Sequence, residues 1–407
     1  MEKGETFNES VEMADSATGR FTRRVTRAGM YNETPAYHLN TAFSADSRWL
    51  VMGTAREGGS AITKVDVQSG EVTVLAVTDG VGLNEMSEGQ ELWAAGRLGG
   101  GHVGVLSAIV QASGWVLSVV GKSLLAVHMD TLEERVLIEH IGRQWRFGVP
   151  NGTIDGRYAI VTRVPEHPEI AAGKTRATKD YRQAVIEKFG GMPTTYLRVE
   201  IATGEVEEVF HEPVAGSHHV QPSPVDGDVW LIDRDWPPLF WCGGDHFKTS
   251  RCWLLNARSK ALTEIAPRNA QHFATHTNWA PAGDRILYHG PQACGGDFIG
   301  VADTRGGTLW EMQMPVAYYG HACTHTMREA FVTDGLLSPD LVTAIHYREL
   351  DSAGMARVEV LARHNTQWRS MDGQYPHPHS HMSPDGEWLS YNRAESGRSD
   401  VYLVRVG

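Results

Sequence analysis

Short runs in which apolar and polar residues alternate, broken by Asp, Gly and Ser, recur along the whole chain. A period of two marks strands with one buried face, whereas a helix would repeat every 3.6 residues. One unit, strand–polar turn–strand, appears as "KVDVQSGEVTVL" from Lys64, "AVHMDTLEERVLI" from Ala126 and "RVEIATGEVEEVF" from Arg198. It returns as "WLLNARSKALTEI" from Trp253, "GVADTRGGTLWEM" from Gly300 and "VLARHNTQWRSM" from Val360, and stops short in "DVYLVRVG" from Asp400. Between these copies lie tight turns that lead into apolar strands: "FSADSRWLVMG", "TIDGRYAIVT", "PSPVDGDVWLID", "WAPAGDRILYHG" and "MSPDGEWLSYN". Asp and Gly suit such turns because they reach left-handed backbone geometry at little cost. Units of this kind at intervals of roughly 40–70 residues predict an all-β, seven-bladed β-propeller, a single domain over residues 1–407. The seventh copy lacks its outer strand. "ATGRFTRRVTR", residues 17–27, has the pattern to supply it, closing the ring and hiding an open strand edge. One segment, "TKDYRQAVIEKFG" (178–190), has helical character and is expected as an excursion between blades.

Composition narrows the class. With 407 residues, 41% hydrophobic and 21% charged, the chain is ordinary globular stock, and it holds no apolar run of the length that spans a bilayer. The N-terminal "MEKGETFNESVEMADS" lacks the basic and apolar regions of a secretory signal, so a cytoplasmic protein is expected. Cys242, Cys252, Cys294 and Cys323 show neither CxxC pairing nor a disulfide framework and are read as reduced thiols. A formal charge of −12 argues against nucleic acid or an anionic membrane as a partner, while leaving room for a short anion in a locally basic pocket. "GGGHVG" (99–104) matches GxGxxG in letters, but β-rich sequence follows it instead of a helix, so it is read as a blade loop. No GxSxG elbow is present, and no length remains for a separate catalytic domain.

Histidine changes the picture. The chain has 19, of which 14 lie beyond residue 204. "GQYPHPHSHMSPDG" (372–385) places His377, His379 and His381 at alternate positions, three residues after Gln374. In extended backbone, residues two apart face the same way, so His377 and His379 point together. The segment is either a polar loop or a metal site. Imidazoles with a hard amide oxygen suit a first-row divalent ion, and without thiolate or carboxylate they do not make a typical structural zinc site. A propeller brings equivalent positions to one central channel, so further ligands are sought in neighbouring blades. "YYGHACTHTM", with His321 and His325, and "HFATHTNWAP", with His272 and His276, are the candidates.

With "RHNTQW" followed by "GQYPHPHSHMSPDG", and with "FATHTNWAP" and "SRCWLL", nearly the whole chain resembles the oligogalacturonate lyases, β-propeller enzymes of polysaccharide lyase family 22. The resemblance implies a metal held by Gln-x-x-His-x-His, here Gln374, His377 and His379, and by one histidine of the preceding blade. His321 fits that fourth place better than His325. It further implies one divalent ion, Mn2+ in the family, with His276 as the catalytic base in Thr-His-x-x-Trp. Arg251 in "SRCW" is implied as a catalytic and substrate-binding residue, and His219 in "SHHVQPSP" as a further substrate-binding residue. Where the family carries an acidic and an aromatic residue, this chain has Thr277 and Asn278.

The implied reaction suits these residue types. β-Elimination of a uronide removes the C5 proton, α to the carboxylate, and expels the C4 oxygen. A divalent ion at the carboxylate stabilises the developing charge, a neutral imidazole accepts the proton, and a guanidinium adds to the neutralisation. The expected partner is a short acidic oligosaccharide. Two other readings stand beside this one: a metal-dependent hydrolase or isomerase of another acidic sugar, and a TolB-like propeller that binds without catalysis.

Overall fold

A computed structural model describes the chain outside residues 30, 35–36, 57–58, 79–104, 143, 166–192, 214–218, 235–250, 266–273, 292–295, 315–319, 367–376 and 396–397. The helical segment at 178–190, the glycine-rich 99–104 and Gln374 fall outside the described residues. Within them, every regular element is a strand.

The strands form seven antiparallel blades. Blade one runs from Tyr31–Glu33 through Trp49–Arg56 and Gly59–Asp66 to Val72–Val77. Blade two holds Val105–Val110, Trp115–Val120, Ser123–His128 and Glu134–Ile138. Blade three is built on Tyr158–Pro165, Thr194–Glu200 and Val206–Glu212, with two short inner strands. Blades four, five and six open with the inner strands Val220–Pro222, Thr275–Trp279 and Ala322–Thr324. Blade seven comprises His381–Met382, Trp388–Glu395 and Arg398–Arg405.

Its outer strand comes from the other end of the chain. Phe21–Arg24 pairs antiparallel with Arg398–Arg405, Thr22 opposite Val404 and Arg24 opposite Tyr402, as the pattern of residues 17–27 predicts. Val11–Ala14 then covers Phe21–Arg24 as a fifth strand. Arg24 pairs with Asp400 at 2.6 Å, and Phe21 stands edge-on to Trp388 with ring centroids 6.1 Å apart.

The core is divided among the blade interfaces. One cluster of buried apolar residues fills each: Leu75 and Val116 between blades one and two, Leu117 and Val161 between two and three, Tyr196 and Trp230 between three and four. The series continues with Leu254 and Tyr288, Ile299 and Phe331, Val332 and Tyr391, and closes with Leu403 and Leu50 between seven and one. Burial of this kind is non-directional, so the ring is held by all seven faces together.

Each inner turn repeats one geometry. Ser44, Thr153, Ser223, Ala280, His325 and Ser383 each donate a backbone N–H to the carbonyl of the residue that opens the next strand. Three positions further, Ser47, Gly156, Gly283 and Gly386 have φ of 61°, 73°, 70° and 73°, the left-handed conformation that the Asp-Gly pattern predicts. One repeat is phased differently from the sequence reading. In blade six the outer hairpin is Leu341–Leu350 with Ala356–Arg363, so "VLARHNTQWRSM" begins inside the outer strand. The ten-residue strand and its hairpin "DSAGM" displace the copy from its expected position.

Candidate metal and catalytic site

The turn geometry sets the register of the central channel. Counting back four residues from Ser223, Ala280, His325 and Ser383 reaches His219, His276, His321 and His379. Four consecutive blades therefore present an imidazole at the same place, the head of the innermost strand. The same step from Ser44 and Thr153 reaches Asn40 and Val149. His325 belongs to the turn itself. Its Nδ1 accepts the N–H of Met327 at 3.1 Å, just as Ser223 Oγ accepts that of Val225. This register separates His321 from His325, which sequence spacing alone leaves close.

His321, His377 and His379 come together, with one ring nitrogen of each within 4.8 Å of the others. All three are buried. His379 has a φ of 44°, a conformation costly for a residue with a β-carbon and one that concentrates at functional sites. Behind His321 lies Asp334, fully buried, whose Oδ1 accepts the backbone N–H of His321 at 2.6 Å while Oδ2 lies 3.5 Å from the ring Nδ1. Burial works against the Asp334 carboxylate, but the His321 ring and its hydrogen bonds outweigh that and hold it below its ordinary range. A carboxylate behind a ring nitrogen is the arrangement that orients metal-binding imidazoles. Three converging imidazoles, one backed by a carboxylate and none by a thiolate, form a donor set suited to a first-row divalent ion.

His276 stands next to this group, its ring 4.7 Å from that of His321. Its φ of 43° and the break in register between Thr275 and Asn278 turn the ring inward. Nδ1 lies 2.8 Å from His289 Nε2, and Nε2 lies 3.5 Å from the Tyr37 hydroxyl. Burial first, then the surrounding histidines and Arg251, keep the His276 imidazole well below its ordinary value, so it is neutral.

Arg251 and His219 meet at Asp233. The Arg251 guanidinium lies 3.8 Å and His219 Nδ1 3.7 Å from Asp233 Oδ2, and Arg251 also donates to Thr275 Oγ1. Thr277 donates to Asp233 Oδ1 at 2.5 Å, and Asn278 donates to the carbonyls of His276 and Ala322. The two positions at which the chain departs from the family pattern thus brace the site. Asp233 is buried, yet these partners hold its carboxylate below the ordinary range against the cost of burial. His38, His219 and Asp233 also lie within 4.8 Å of one another. Because Asp233 already faces Arg251 and Thr277, this group reads as an ion-pair network.

Five residues of the centre have no motif in the sequence: Tyr37, His38, Asp233, His289 and Asp334. Tyr37 stands at the hub, its ring centroid 5.1 to 5.3 Å from those of His219, His321 and His379. His38 is buried beside it, 4.8 Å from the His276 ring. Below them a cavity of about 400 Å³ reaches from His38 toward the turns, lined by Asn40, Asn151, Gln221 and Asn278. The four-residue step back from the turn reaches His219, His276, His321 and His379 but none of these five.

No protein-family model matches the chain. It is 23% identical to the oligogalacturonide lyase of Pectobacterium atrosepticum over 96% of its length and 95% of the relative's. It is similar to the same extent to the oligogalacturonate lyase of Dickeya dadantii. Among solved structures, an oligogalacturonate lyase in complex with manganese superposes with a TM-score of 0.76 at 19% identity, covering 100% of this chain and 99% of that one. The resemblance to the oligogalacturonate lyases holds, and the seven-bladed propeller is shared.

Proposed function

We propose that the chain is a lyase that cleaves short oligogalacturonides by metal-dependent β-elimination. The observation that carries this reading is the juxtaposition of a three-imidazole cluster with a separate, neutral histidine from the neighbouring blade. The names of the relatives, and the manganese in a structure of the same fold, support it. His321, His377 and His379, with the amide oxygen of Gln374 as a fourth donor, would hold the ion. Such an ion, when bound, supplies Lewis-acid stabilisation of charge on the substrate carboxylate.

The remaining work falls to the chain. His276 Nε2 takes the C5 proton; the C5–H pair becomes the C4=C5 double bond; the C4–O4 bond breaks, and the leaving oxygen gains a proton from water. Arg251, aimed by Asp233 and Thr275, binds a carboxylate and adds to its neutralisation. His219, anchored on the same aspartate, contacts the sugar from the adjacent blade. Because Asp233 and Asp334 are each opposed by cationic or imidazole groups, these two acids offer an anionic substrate little repulsion.

Mass analysis of the products from digalacturonate tests the reading. Elimination gives two fragments whose masses sum to that of the substrate. Hydrolysis adds one water, and that result would move the protein to a different reaction class.

A further inference from the structure

His289 takes no part in the family resemblance, and nothing in the sequence marks "ILYHGP" as more than an apolar strand. It lies on the second strand of blade five, directly opposite Thr275, the residue before His276. The inward turn of His276 brings its Nδ1 to 2.8 Å from His289 Nε2, with ring centroids 4.9 Å apart. A contact this short between two imidazole nitrogens needs an N–H on one ring and a lone pair on the other. Two arrangements satisfy it. If His289 donates, His276 carries its proton on Nε2 and has no free base. If His276 Nδ1–H donates, Nε2 keeps its lone pair.

Nε2 is the atom facing the centre of the channel, where it lies 3.5 Å from the Tyr37 hydroxyl, which can donate to a bare nitrogen there. We infer that His289 is a positioning residue: it accepts the Nδ1–H of His276, fixing the tautomer in which Nε2 is the proton acceptor. The inference rests on the proposal that His276 is the base. As His276 gains the C5 proton at Nε2, its Nδ1–H bond to His289 strengthens, and the proton remains on His276.

The choice of an imidazole for this place has a physical reason. In triads of the Ser-His-Asp kind a carboxylate holds the base, and its charge raises the affinity of the ring for a proton. Here the base must stay unprotonated before the reaction, among histidines and Arg251. A neutral acceptor orients the ring without that charge. A carboxylate at 289 would also compete with substrate for the cationic groups nearby.

His289→Leu removes the acceptor, and His289→Gln places an amide oxygen where Nε2 now lies. With the manganese-loaded protein and digalacturonate, His289→Leu should lose about 10–100-fold in kcat, the range usual for groups that orient a working residue, with KM within twofold and metal content unchanged. His289→Gln should regain most of the loss. In a His276→Ala background, His289→Leu should cost nothing further, which a general packing role would not predict. Wild-type kcat in His289→Leu, or an undiminished additional loss in the double variant, overturns the inference. Should His289→Leu not fold, His289→Gln decides alone: kcat within about fivefold of wild type upholds the inference, and a loss beyond 100-fold with metal intact overturns it. If His276→Ala itself retains full turnover, the assignment of the base has failed. If His276→Ala is inactive and His289→Leu is not impaired, only the role of His289 has.

Discussion

His219, His276, His321 and His379 occupy one register position in four successive blades, and their neighbours divide the work among them. His321 and His379 meet His377, His276 is drawn back by His289, and His219 leans on Asp233. Replacing His276 by Ala should lower turnover about 10²–10⁴-fold, the usual worth of a positioned base, while metal content and melting temperature hold. Loss of metal in that variant would show the division to be wrong. His325→Ala is the control: its ring caps a turn, so most of the rate should remain. The pH profile follows from the same environment. His276 must be neutral to act, and its surroundings hold it below the ordinary 6.5. The acid limb of kcat/KM should therefore lie below pH 6.5, and a limb at or above that value would contradict the assigned environment. Much of this was readable beforehand, because His377 and His379 lie two apart and His276 sits in a Thr-His-x-x-Trp frame. His289, Asp233 and Asp334 were not, because their importance depends on strand pairing that brings distant residues face to face.

At the scale of the element, the strand Phe21–Arg24 is the closure of the ring. Alternation and the truncated last repeat were enough to place it, since an unpaired outer edge demands a partner. The sixth repeat was misphased because a hairpin longer than its neighbours carries the same alternating pattern, and a period of two has no landmark to fix phase. Deleting residues 1–27 removes buried Val25 and half-buried Phe21, the Arg24–Asp400 pair and a full ladder of hydrogen bonds. The apolar part alone is worth about 3 kcal/mol. The truncated protein should melt lower or aggregate; a soluble product with unchanged melting temperature would show that the N-terminal strand does not hold the ring.

For the whole molecule, stability is spread over seven equivalent interfaces, whereas the channel histidines are gathered at one end of four blades. Burying histidines has a cost in acid. His289, His325 and His364 are neutral in the fold, with values near 3, 4 and 4, and Nδ1 of His364 accepts the N–H of Thr366. Each is depressed chiefly by burial. Below 6.5 the unfolded chain takes up protons that the fold refuses, so the contribution of these rings is complete above 6.5 and declines as pH falls to about 3. Melting temperatures at pH 7.5, 6 and 5 should fall in that order; a flat series would mean these rings accept protons in place. His377→Ala should strip the protein of its stoichiometric divalent ion without unfolding it, and unchanged metal content would reduce the cluster to a polar loop. The central claim, elimination at a metal-dependent site, is tested most directly by absorbance. Digalacturonate is added to the protein with manganese, and the band of the conjugated unsaturated uronate is followed before and after a chelator. A rise that stops with chelation and resumes with manganese is the predicted result. Cleavage without that band, or a rise indifferent to chelation, would contradict it.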